Sequence, residues 1–137
     1  MLKPTIGSVV LYFLGKYLLF YAGNIVYQGS YQWVDLSTLK SGQDVYYWLW
    51  MFGFLPVVSS ILFAVPLALV LRLSRPVFFS CAVAAFVVAD YAFYVFFSSQ
   101  KPLDAYGLYH EIIGLVVLTF LFHRRIRAIF TNLAQAA

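Results

Sequence analysis

Residues 104–127 read DAYGLYHEIIGLVVLTFLFHRRIR, and whether this stretch crosses a membrane decides the fold. Its uninterrupted apolar part, 112–122, is short for a ~30 Å hydrocarbon layer, which takes ~20 helical residues. Tyr106, Gly107, Leu108 and Tyr109 extend it into the headgroup region, where tyrosine is well accommodated. Charge supplies an independent criterion. If four runs cross, Lys3, Arg72, Arg75, Arg124, Arg125 and Arg127 share one side, while Lys40 and Lys101 face the other. That asymmetry matches the positive-inside rule, with both termini cytoplasmic. Were this run not to cross, the Arg124-Arg125-Ile126-Arg127 cluster would lie outside, against the rule.

Working outward, the three other apolar runs are 6–27, 45–71 and 77–98, with 104–123 as the fourth. The chain is 64% hydrophobic and 10% charged. Soluble domains carry about 25% charged residues. A water-solvated domain of 137 residues cannot hide that much apolar surface. The sequence therefore predicts an all-α polytopic membrane protein, with four transmembrane helices in an up-down bundle. It forms one domain over residues 1–137, with an outer loop at 28–44 and a basic cytoplasmic tail at 124–137. Compactness and charge bias place it in the cell membrane as a multi-pass protein of a bacterial inner membrane. The first run is interrupted by Gly15 and Lys16 and is followed by no A-x-A-like site, so it reads as an uncleaved span rather than a signal peptide. The net charge of +4 is explained by topology and implies no nucleic-acid partner.

The turns fit this map. Ser74-Arg75-Pro76 offers a cap and a first-turn proline for the third helix, while Asp44 and Asp104 are candidate caps of the second and fourth. Pro56 and Pro66 predict kinks in the long second run, and Tyr46, Tyr47, Trp48 and Trp50 an aromatic belt at its outer end. Small residues recur at Ser8, Gly15 and Ala22, and again at Cys81, Ala85 and Ala89 with Ala92 nearby. These stripes predict close helix contacts inside the bundle, with Cys81 as a packing residue. Arg124, Arg125 and Arg127 are expected to lie along the cytoplasmic surface, in contact with lipid headgroups.

Two ionisable residues fall within spans. Lys16 and Asp90 differ in depth by roughly 5 Å, which a lysine stem can bridge. An isolated charge at the centre of a membrane helix costs at least ~2.5–3.5 kcal/mol, so the two are expected to form an intramembrane charge pair. Ser59 and Ser60 could extend a polar track or bond to their own helix backbone. Asn24, His110 and Glu111 are expected at the outer boundary, as a small polar mouth. His110-Glu111 opens like a zinc-protease motif, but Gly114 stands where the second histidine belongs. His123 lies ~20 Å further along the helix and cannot share a metal with His110. No phosphate-binding glycine loop or nucleophile motif is present. The sequence thus predicts no metal site, no catalytic residues, no cofactor and no enzyme activity.

The outer loop carries Tyr31, Trp33, Val34, Leu36 and Leu39, and Tyr31, Trp33 and Leu36 are the expected partner-docking residues. Beyond the lipid bilayer, the expected partner is another membrane protein, a membrane-active polypeptide or a second copy of the chain. In topology alone the layout resembles immunity proteins that block membrane-active toxins. Small multidrug exporters are similar in layout, but they carry an acidic residue in the first helix, where this chain has Lys16. The function expected first is that of a non-enzymatic accessory, assembly or immunity-type protein. The alternatives are a proton- or ion-coupled transporter subunit using Asp90 and Lys16, and a membrane anchor of a redox or biosynthetic complex.

Overall fold

The computed structural model describes residues 5–28, 35–98 and 104–134, and everything structural below refers to these. The described residues are almost entirely helical: α1 (Ile6–Gln28), α2 (Gly42–Leu49), α3 (Leu55–Val70), α4 (Pro76–Ser98) and α5 (Ala105–Ala134). A short 3-10 turn covers Leu36–Thr38, and a π-helical segment, Trp50–Phe54, joins α2 to α3 into one continuous rod. Four helical stretches are long and apolar enough to cross a bilayer: Ile6–Tyr27, Gly42–Val70, Pro76–Ser98 and Ala105–Thr131. Leu18, Ile61, Val88, Phe96 and Phe120 lie between 67% and 78% exposed. Side chains of this kind need hydrocarbon around them, so the chain is a multi-pass membrane protein.

The helices pack in antiparallel pairs. Gly15 of α1 faces Val117 of α5, and Gly23 faces Tyr109. Gly107 of α5 faces Tyr91 and Val95 of α4, and far along the same pair Phe130 meets Phe79 edge-on. Phe63 of α3 meets Phe86 and Phe93 of α4. Where the glycines sit, backbones approach closely, which is how helices associate in a solvent with no water to expel.

The second span shows how local chemistry sets geometry. Ser41 is its N-cap, in a capping box completed by Asp44, so Asp44 acts three residues inside the helix rather than as the cap itself. Further along, the Leu55 N–H bonds back five residues to the Trp50 carbonyl. That takes away the ordinary partner of the Met51 carbonyl, and the next residue, Pro56, has no N–H to offer. The Tyr21 hydroxyl of α1 donates to this stranded carbonyl instead. The proline thus produces a wide turn and a bond between helices. Ser60 donates to the Pro56 carbonyl at 2.7 Å, so this hydroxyl serves its own helix.

Three expectations are corrected. Cys81, Ala85, Ala89 and Ala92 are all exposed, so the small-residue stripe of α4 faces out of the bundle; the buried residues of that helix are Phe79, Phe86, Asp90 and Tyr94. On α1, Ser8 is buried but Ala22 is exposed, and Gly15 and Gly23 are the residues that meet α5. Arg125 is not a headgroup ligand. Its guanidinium donates to the Leu71 carbonyl at 2.9 Å, to Arg72 at 3.0 Å and to Leu73 at 3.2 Å. These carbonyls lie where α3 ends, and a fork of N–H donors at the negative end of the helix dipole satisfies them together. Arg124 and Arg127 remain exposed. Beyond the non-helical Phe122 (φ −114°, ψ 15°) α5 continues, with Ile129 buried, so the basic segment packs against α4 rather than lying free.

Arg125→Ala is expected to lower stability by about 2 kcal/mol, the value of a hydrogen-bonded charge, as measured by denaturant unfolding in micelles. Arg124→Ala is expected to stay within about 0.5 kcal/mol of the parent.

A buried charge network as candidate functional site

Lys16 projects from the middle of α1 toward α4 and α5. It sits at the twist of the helix that also buries Val9, Tyr12, Phe13, Tyr17 and Phe20. Its ammonium donates to Asp90 Oδ2 at 2.5 Å and to Glu111 Oε1 at 3.1 Å. Lys16 and Asp90 are fully buried, and the Glu111 side chain is 9% exposed. His110 Nδ1 lies 3.0 Å from the same Glu111 oxygen, which makes four ionisable side chains from three helices one connected set.

The space for Lys16 comes from Gly114. A Cβ there would stand 2.9 Å from Lys16 Cε and 3.1 Å from both the ammonium and the Tyr12 hydroxyl. Gly114 lies one helical turn beyond Glu111 on the same face of α5, so the glycine admits the lysine stem beside the carboxyl it contacts. Aromatic rings close the rest. His110 stacks on Tyr94 with centroids 4.1 Å apart, meets Phe20 edge-on at 5.0 Å and lies 5.0 Å from Tyr17. The Tyr17 hydroxyl faces that of Ser59 on α3, yet both are sealed from solvent without a partner at hydrogen-bonding distance, as are Asp90 Oδ1 and His110 Nε2.

The expected pair, Lys16 and Asp90, is in direct contact, and both serines are buried. The expected polar mouth does not form as one unit. His110 and Glu111 join the charges deeper in the bundle, while Asn24 stays apart. It lines a separate cavity of about 390 Å³ with Tyr27, Ala105, Tyr106 and Tyr109. The physical reason is where α5 starts. Its helix begins at Ala105, which puts Glu111 six residues, roughly 9 Å, inside it. Of the docking loop, Leu36 is 63% exposed, and Tyr31 and Trp33 lie outside the described residues. Gly114 is the residue that sequence reasoning overlooked. The available signal was a glycine one turn from an intramembrane carboxyl.

Chemically, the set can hold charge and shuttle a proton along the Glu111–His110 contact. Two further cavities, one beside Leu115, Val116, Thr119 and Phe120 and one beside Tyr46, Trp50 and Phe97, are not lined by any of its four members, and neither is the cavity at Asn24. Among the described residues no three His, Cys, Asp or Glu side chains are grouped so as to hold a metal ion. Compared with known protein families, with curated proteins and with solved structures, the chain matches none.

Lys16→Met is expected to cost about 3–5 kcal/mol, because it strands buried carboxylates without their cation. Removing the charges together, as Lys16→Met with Asp90→Leu and Glu111→Gln, is expected to recover most of that loss in the same unfolding measurement. Equal losses in the two variants would mean that the attraction itself, rather than an unpaired charge, sets the cost.

Proposed function

We propose that the chain is a non-enzymatic membrane protein that acts by docking within the bilayer against another membrane polypeptide, as an accessory, assembly or immunity-type protein. The observation that carries this reading is the outward face of α4. Cys81, Ala85, Ala89 and Ala92 line it, so a partner helix could approach its backbone closely. Only 22% of the most apolar stretch of α4 is buried within the chain, against 39% for each of the other three spans. A closed charge set with no cavity leading to it supports the same reading, because substrate would need a route. On this proposal the basic end of the bundle, with both termini, faces the cytoplasm of a bacterial cell. The exposed aromatics at the other end, including Leu36 and its loop, form a second contact for the partner.

A second reading, a subunit of an oligomeric proton- or ion-coupled transporter, is favoured by one observation: Lys16, Asp90, His110 and Glu111 converge at a common depth. Intramembrane charges often line ion or proton pathways.

The variant Ala85→Leu with Ala89→Leu tests the first reading. It is expected to reduce the partner-bound fraction in mild-detergent extracts by roughly 10-fold, equivalent to ~1.4 kcal/mol. The unfolding midpoint should not change, since both side chains face away from the bundle. An undiminished complex would remove α4 from the docking surface. For the second reading, proteoliposome flux is expected to fall in Asp90→Asn, and equal flux would exclude Asp90 from coupling.

A further inference from the structure

Lys16, Asp90 and Glu111 place one lysine against two carboxyl groups in a region sealed from water. A single ammonium neutralises a single carboxylate. Ionised together, the three would leave a net negative charge in hydrocarbon, where an uncompensated charge is costly. One more proton on the set restores neutrality, and the geometry indicates which atom takes it.

We propose that Glu111 is a proton-binding site. In the resting protein Lys16 pairs with Asp90, His110 is neutral and donates its Nδ1–H to Glu111 Oε1, and an exchangeable proton resides on Glu111 Oε2. The closer contact of the ammonium is with Asp90, 2.5 Å against 3.1 Å, as a charge-assisted bond would be. His110 is fully buried among Tyr17, Phe20 and Tyr94, and its Nε2 has no partner. An imidazolium would therefore leave a charged N–H without an acceptor, whereas the neutral ring leaves only a bare nitrogen. Asp90 is sealed, its Oδ1 included. Glu111 is the member of the set with exposed side-chain surface, so a proton bound there can come and go.

The other titratable groups facing the set are the phenols of Tyr12 and Tyr17 on α1 and of Tyr94 on α4; α3 contributes the Ser59 hydroxyl and no charged group among its buried residues. The step is simple proton binding: the carboxylate oxygen takes up a proton to form O–H, with no change of oxidation state. On release, the 3.0 Å contact to His110 Nδ1 provides the neighbouring station for the same proton. This inference is independent of whether α4 docks a partner.

Glu111 is the only glutamate in the chain, so isotope labelling can address it without a mutation. The experiment is infrared spectroscopy of the full chain in lipid nanodiscs at neutral pH, with glutamate labelled by carbon-13 at the side-chain carboxyl. The expected result is a carboxylic-acid C=O stretch that shifts with this label and shifts again on transfer to deuterated buffer. If the label moves carboxylate bands alone, Glu111 is ionised and the proposal is overturned. It is equally overturned if the acid band responds to carbon-13 in the aspartate carboxyl instead. An acid band that moves with the glutamate label but ignores deuterated buffer would show a trapped proton, and exchange would be disproved.

Discussion

A lysine ammonium enclosed by hydrocarbon cannot stand alone, and much of this bundle is arranged around that fact. Lys16 leaves α1 and reaches Asp90 on α4 and Glu111 on α5, so three helices meet at one cation. Apolar side chains cannot specify such a meeting inside a lipid bilayer, since lipid tails satisfy them equally well. A charge can, because every arrangement that separates it from its partners is costly. Register between these helices is thereby fixed at one depth, and the aromatic and glycine contacts above and below follow from it.

Those contacts fill the space the charges define. Phe13, Phe63 and Phe86 form a chain of rings on one side, and Phe20, Tyr94 and His110 another on the opposite side. Ring pairs of this kind hold their geometry without water and tolerate small shifts in helix tilt. At the basic end the same logic uses hydrogen bonds: Arg125 gathers three carbonyls where α3 stops, tying α5 to the 71–73 turn. The two ends and the middle of the bundle are therefore held by polar atoms, and the stretches between by packing.

The four spans were legible because run length and the sign of flanking charges are properties of the chain itself. The Lys16–Asp90 contact was legible for the same reason, as depth follows from counting residues along a helix. Glu111 was misplaced because its depth depends on where α5 begins, and a tyrosine-rich start resembles a boundary even when it is already helix. The outward turn of Cys81, Ala85 and Ala89 was not legible. A four-residue repeat marks a face, while the direction of that face depends on which neighbours the other helices occupy. Arg125 shows a similar gap, since nothing in Arg-Arg-Ile-Arg distinguishes the arginine that bends back to a distant turn from those that stay in solvent.

The wide turn at Trp50–Phe54 changes what the second span can present. A π turn holds more residues than an α turn, so it advances the angular phase of everything downstream relative to an unbroken α-helix. The rod therefore carries two independently oriented stripes. One sets Tyr46 and Trp50 around the aromatic tip, and the other turns Ser59, Ala64 and Leu67 inward. Shortening this segment by one residue would rotate one stripe against the other by roughly 100°, turning the inward set toward lipid while leaving the length and hydrophobicity of the span almost unchanged.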